Sequence, residues 1–128
     1  MTVDSRSGWR IFVMEDDGMI AMYISNALDE LGHVVVGPAR TVESALAAIE
    51  HETIDMALLD VNLGNGATSY PIAEVLNRRG VPFAFLTGYG EAGLNGSFRD
   101  RPVLSKPINE KRLLETLRKL AAPLPRNE

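Results

Sequence analysis

The chain has 128 residues, 45% hydrophobic and 23% charged, with a formal net charge of −4 and no cysteine. That length suits one domain with a sizeable core. The missing cysteines exclude disulfides and thiolate chemistry, and no apolar run approaches the ~18 residues of a membrane span.

The charge is unevenly spread. Residues 1–90 carry 5 basic and 12 acidic side chains, whereas residues 91–128 carry 8 and 5. An acidic total argues against nucleic acid as the main partner, because phosphate binding needs a basic footprint. The basic last third reads either as a solvated helix with Lys and Arg near its C-terminus or as a protein-docking face. A polar tail over 1–8 has no apolar stretch of the secretory kind; with the cysteine content this predicts a cytoplasmic protein.

In chain order, Trp9 to Met14 predicts a first strand that runs into Glu15-Asp16-Asp17. Ile20, Ile24, Ala27, Leu28 and Leu31 then recur at helical spacing, with Gly32 as a stop. Val34-Val35-Val36 predicts a second strand closed by Gly37-Pro38, and Thr41 caps a second helix built on Val42, Ala45, Leu46 and Ile49. Met56-Ala57-Leu58-Leu59-Asp60 is a short apolar run between turn signals, the pattern of a strand buried on both faces.

Thr68, Ser69 and Pro71 open a third helix with Ile72, Val75 and Leu76 inward, ended by Gly80. Phe83 to Leu86 is a fourth strand ending at Thr87. The stretch from Gly88 to Pro102 holds four glycines, so a fourth helix there is short or irregular. Val103-Leu104-Ser105 is a brief fifth strand before Lys106-Pro107. Asn109 caps a last helix with Leu113, Leu114, Leu117 and Leu120, and Pro123 and Pro125 end it in a tail. Alternating strands and helices imply a parallel sheet covered on both faces.

In such a sheet the carboxyl ends of the strands share one edge, where ligands bind. That edge collects Glu15 and Asp16, Asp60, Thr87 and Lys106. Each alone is commonplace, since acids often cap helices, but clustered carboxylates repel unless a cation holds them. Mg²⁺ suits them: it takes oxygen ligands and binds through one or two carboxylates plus a phosphate. A carboxylate can also attack phosphorus to form an aspartyl phosphate, a reaction that needs mainly positioning and charge neutralisation. In this reading Asp60 attacks, Asp16 and Asp60 hold Mg²⁺, and Lys106 and the Thr87 hydroxyl meet phosphoryl oxygens. The backbone carbonyl of Asn62 completes the metal shell. Asp60 is expected to be ionised at neutral pH, so no separate base is required.

Four segments, Val13-Met14-Glu15-Asp16-Asp17, Leu58-Leu59-Asp60-Val61-Asn62, Leu86-Thr87-Gly88 and Ser105-Lys106-Pro107, resemble the receiver domain of a two-component response regulator, in its order and roughly its spacing. The resemblance spans about residues 9–122, leaving tails at 1–8 and 123–128. It implies a flavodoxin-like, doubly wound, five-stranded parallel sheet of order 2-1-3-4-5 with five helices, and a cis Lys106–Pro107 bond. It further implies Mg²⁺-dependent phosphorylation of Asp60 by a histidine kinase or phosphotransfer protein, with Glu15 and Asp16 at the metal. Phosphorylation would then switch a protein–protein interaction through the Gly88–Leu120 face, not run a turnover enzyme.

Two positions depart from the family. An aromatic residue usually stands three before the lysine, where this chain has Val103, so Tyr89 or Phe98 is expected to supply the moving ring. The loop after Asp60 lacks the common proline and reads Leu63-Gly64-Asn65-Gly66. With Pro82 to Gly90, that loop resembles stand-alone, single-domain alphaproteobacterial receivers carrying a Phe-Ala-Thr-Gly-type signature, which act as adaptors or phosphate sinks. No DNA-binding output domain is expected after residue 122, and the chain is expected as a monomer or a weak phosphorylation-dependent dimer.

Other readings compete. A pseudo-receiver would keep the fold as a docking module without phosphorylation. A Mg²⁺-dependent phosphatase with an aspartate nucleophile uses a similar Asp…Thr…Lys order, but wants an acid where Asn62 stands and its acidic pair late in the chain. Gly88-Tyr89-Gly90-Glu91-Ala92-Gly93 matches the dinucleotide G-x-G-x-x-G pattern, yet it follows the fourth strand and opens no uninterrupted helix. His33 and His51 read as ordinary surface residues, and Trp9 as core.

Overall fold

A computed structural model describes residues 8–64, 66–88, 98 and 100–122. In chain order the elements are β1 (Arg10–Met14), α1 (Gly18–Glu30), β2 (Val34–Ala39), α2 (Val42–His51), β3 (Met56–Asp60), α3 (Tyr70–Arg78), β4 (Phe83–Thr87), β5 (Val103–Ser105) and α4 (Glu110–Ala121). The five strands form one parallel sheet in the order β2-β1-β3-β4-β5. This is the flavodoxin-like, doubly wound arrangement. Among the described residues there are four helices; the short fourth helix expected between Gly88 and Pro102 falls largely outside them.

Alternation along the strands explains the two layers, because successive side chains leave a strand on opposite faces. Phe12 and Met14, Ala57 and Leu59, and Phe83 and Phe85 face α2 and α3, meeting Ala45, Ile49, Ile72, Ala73 and Leu76. Ile11 and Val13, Met56 and Leu58, and Ala84 and Leu86 face α1 and α4, meeting Ile24, Leu28, Leu113, Leu117 and Leu120. Every residue of β3 and β4 is buried. At roughly 1.5–3 kcal/mol for each large apolar side chain removed from water, these two layers dominate the stability.

Helix starts follow local chemistry. Thr41 and Ser44 form a reciprocal capping box at α2, Asn109 accepts the Arg112 N–H at α4, and Asp17 accepts the Met19 and Ile20 N–H groups at α1. At α3 the Ser69 side chain makes no cap bond and is buried, and Pro71 occupies the first turn.

Three local expectations are corrected. β2 does not stop at Gly37-Pro38 but continues through both to Ala39. Leu46 is exposed, not core, because α2 is covered on one side only and Ala45 and Ile49 take that side. His33 is half-buried: its Nδ1 accepts the Trp9 backbone N–H at 3.0 Å, and its ring stacks on Trp9 with centroids 5.5 Å apart. Trp9 itself is half-buried against the α1–α4 layer.

Candidate functional site

The parallel sheet delivers the ends of β1, β3, β4 and β5 to one edge, and the titratable groups gather there. Glu15 (fully buried), Asp16 (half-buried) and Asp60 (buried) place one carboxylate oxygen each within 4.8 Å of one another. Lys106 reaches in from the residue after β5. Its Nζ lies 3.2 Å from Oδ2 of Asp60, and 3.2 Å and 3.5 Å from Oε1 and Oε2 of Glu15. The Lys106–Pro107 bond is cis, as the family resemblance implied.

Thr87 is buried at the end of β4, and its carbonyl accepts the Lys106 N–H at 2.9 Å. The sheet thus sets Thr87 beside Lys106 whatever their side chains do. The loop after β3 turns back on itself: Asn62 bridges to Thr68, the Ser69 N–H donates to the Val61 carbonyl, and Leu63 pairs with Ala67. Gly64, at φ +80°, lies so near Asp16 that a Cβ there would sit 3.5 Å from Oδ2.

Electrostatics correct one expectation. Burial, and then the Glu15 carboxyl beside it, push Asp60 up to about 8, against the opposing pull of Lys106. Burial and the Glu15 carboxyl thus disfavour the ionised form that a free aspartate takes at neutral pH, and a bound cation would favour it again. Burial pulls the Lys106 ammonium down, but Asp60 and Glu15 together outweigh that and leave it above its ordinary value. One ammonium faces two buried carboxyls, so the cluster is short of positive charge.

A divalent cation fits that shortage. Oε1 of Glu15 is buried and receives no hydrogen bond, although Nζ of Lys106 is close. A buried acceptor left without a donor is costly. Among the described residues, three carboxylate oxygens form the cluster, the donor set of a hard ion such as Mg²⁺.

Sequence reasoning missed two neighbours of the site. Arg40, just past β2, donates from Nη2 to the Asp16 carbonyl at 2.9 Å. It was hidden because Gly37-Pro38 reads as a strand stop. An apolar groove of about 450 Å³ also runs along α1 to the loop after β5, lined by Met19, Ile20, Tyr23, Lys106, Pro107 and Ile108. Met19 is 83% exposed and Tyr23 44%. The signal was legible in principle: Met19, Met22 and Tyr23 lie off the Ile20–Ile24–Leu28 face of α1.

Comparison with known proteins adds the family. The profile described as response regulator receiver domain matches residues 11–118. The solution structure of SdrG from Sphingomonas melonis Fr1 superposes with a TM-score of 0.81 at 40% identity, over 91% of this chain and 98% of that one. The BeF3-activated conformation of SdrG gives 0.76 at 42% identity, over 87% and 94%. The phyllosphere-induced regulator PhyR of Methylorubrum extorquens is 34% identical over 102 residues, 77% of this chain and 38% of PhyR. The chain spans less than half the length of the curated relatives it matches.

Proposed function

This chain belongs to the response regulator receiver domain family, and from that premise we propose that Asp60 is its phosphoacceptor in a two-component phosphorelay. The observation that carries the reading is the buried Asp60 carboxyl with the Lys106 ammonium 3.2 Å away and two further acids beside it. Glu15, Asp16 and Asp60, with the Asn62 backbone carbonyl, would hold Mg²⁺. When bound, the cation supplies the missing positive charge, lowers the Asp60 pKa and neutralises phosphoryl oxygens.

The transfer itself is a displacement at phosphorus. An ionised Asp60 oxygen forms the new P–O bond as the donor's P–N bond breaks, and the electron pair leaves with the imidazole nitrogen of a phosphohistidine. Lys106 follows the charge onto one phosphoryl oxygen, and the Thr87 hydroxyl donates to another. Nothing in this scheme recycles a substrate, so the chain acts as a switch and not a turnover enzyme.

The donor is a histidine kinase or phosphotransfer protein. The apolar groove beside Lys106 supports docking of such a donor along α1, because it brings exposed Met19 and Tyr23 next to the reacting group. The downstream partner takes the Gly88–Leu120 face, where α4 ends in exposed Arg118 and Lys119. Likeness to SdrG over nearly all of that chain supports a stand-alone adaptor role.

Intact mass after incubation with Mg²⁺ and acetyl phosphate tests the reading. One added phosphoryl group, lost in chelator and absent in Asp60→Asn, is the expected result. If the folded chain gains no mass from acetyl phosphate or from a purified phosphohistidine donor, the reading gives way to an unphosphorylated docking module.

A further inference from the structure

We propose that Arg40 is a positioning residue that holds the Asp16 turn in the geometry a divalent cation needs; this rests on the metal reading above. The acidic turn is fixed from β2. The Glu15 N–H donates to the Ala39 carbonyl at 3.0 Å, and Nη2 of Arg40 donates to the Asp16 carbonyl at 2.9 Å. Within the turn the Asp17 N–H closes onto Oε2 of Glu15 at 3.1 Å. Two consecutive residues of β2 and its exit thus grip two consecutive residues that carry carboxylates.

The grip depends on one extra residue in β2. Phe12 pairs with Val36, but Met14 pairs with Ala39, so two steps along β1 match three along β2. Gly37 makes the offset possible: at φ +99° a Cβ would come within 2.8 Å of the Ala39 nitrogen and 3.0 Å of the Val13 carbonyl. An unbulged pairing of the same sequence would carry Arg40 one position, roughly 3.3 Å, further along, opposite Asp16. The bulge therefore pairs Ala39 with Met14 and draws Arg40 level with Glu15, from where its guanidinium meets the next carbonyl, that of Asp16.

Groups that orient a ligand from outside the coordination shell typically contribute about 10–100-fold to metal affinity. Arg40 suits the task because its planar guanidinium gives a directed contact, whereas a lysine ammonium is a compact point charge on a flexible stem. Its charge works in the opposite sense, since a cation beside the site repels Mg²⁺. Positioning and charge thus predict opposite signs when Arg40 is removed.

The experiment is isothermal titration of the chain with Mg²⁺ for wild type, Arg40→Lys and Arg40→Ala, with thermal unfolding of each in chelator. Positioning predicts about tenfold weaker binding for Arg40→Ala, the lower range for an orienting partner. Arg40→Lys should fall between, and the unfolding temperatures in chelator should coincide, because the side chain is exposed. Equal or tighter Mg²⁺ binding by Arg40→Ala overturns the inference and leaves the metal reading standing. A wild-type chain that binds no Mg²⁺ overturns both.

Discussion

The rings of Tyr70 and Phe98 stack with centroids 5.8 Å apart and planes within 12° of parallel. Phe98 is 6% exposed and also meets Phe83 and Phe85 at 5.8 Å each. Tyr70 opens α3 directly after the loop that leaves Asp60, so this stack joins that loop to the segment before β5. Of the two rings expected to stand in for an aromatic at Val103, Tyr89 lies outside the described residues and Phe98 is a core ring. Phe98→Ala is therefore expected to cost about 3–5 kcal/mol in urea unfolding, and Phe98→Leu only about 1. A loss below 1 kcal/mol for alanine would show that the cluster does not hold the ring.

Why the strand ends were legible and the second strand was not comes down to what each residue type signals. Leu58-Leu59-Asp60 and Phe85-Leu86-Thr87 announce buried strands by unbroken apolarity, and a parallel sheet then fixes where Asp60 and Thr87 must lie. Gly37-Pro38 carries the local signature of a turn. Only the pairing of β1 with β2, a tertiary fact, keeps it in a strand. Similarly, the ionisation of Asp60 depends first on its burial and then on Glu15, 45 residues earlier in the chain, so the Asp60 segment alone does not disclose it. His33 became a hydrogen-bond acceptor because the start of β1 lies beside the start of β2, a register that local pattern does not encode.

Asp60 makes the metal-free chain lose stability as pH rises. Its folded pKa of about 8 exceeds the free value of 3.8, so between these limits the folded state binds more protons than the unfolded one. The stabilisation is complete below about pH 4 and is lost as pH climbs through about 8, at up to roughly 1.4 kcal/mol per pH unit. Urea unfolding in chelator between pH 5 and 8 should show this fall. Asp60→Asn should flatten it, and saturating Mg²⁺ should offset it most at the alkaline end, where the carboxylate is free to bind. A chelated wild type as stable at pH 8 as at pH 5 would contradict the burial argument.

The α1 groove predicts a split between donors. Met19→Gln and Tyr23→Ala alter exposed side chains without adding charge, so both variants should fold normally. Truncating an interface anchor costs roughly 1–2 kcal/mol, about tenfold in rate or affinity. Transfer from a cognate phosphohistidine protein should slow by that factor in each variant. Labelling by acetyl phosphate, which is too small to need α1, should not change. Equal slowing with both donors would place the effect at the phosphoacceptor site instead.

His33 adds a second pH dependence, opposite in sign and at the other end of β1. Its Nδ1 accepts the Trp9 N–H, and burial holds the imidazole below its ordinary pKa of 6.5. The neutral ring is thus favoured in the folded state, and its stabilisation is full above pH 6.5 and lost as pH falls through the depressed folded value. Protonation removes the acceptor and puts a charge against the indole, a loss of about 1 kcal/mol for the hydrogen bond. Because Trp9 is the chain's single tryptophan, its fluorescence reports the change directly. β1 separates His33 from Asp60 by a strand's length, so the two effects should add, and Asp60→Asn isolates the first. In that background, acid quenching of Trp9 below pH 6.5 should accompany the stability loss, and His33→Gln should abolish both. A quench that survives His33→Gln would assign the titration to another group.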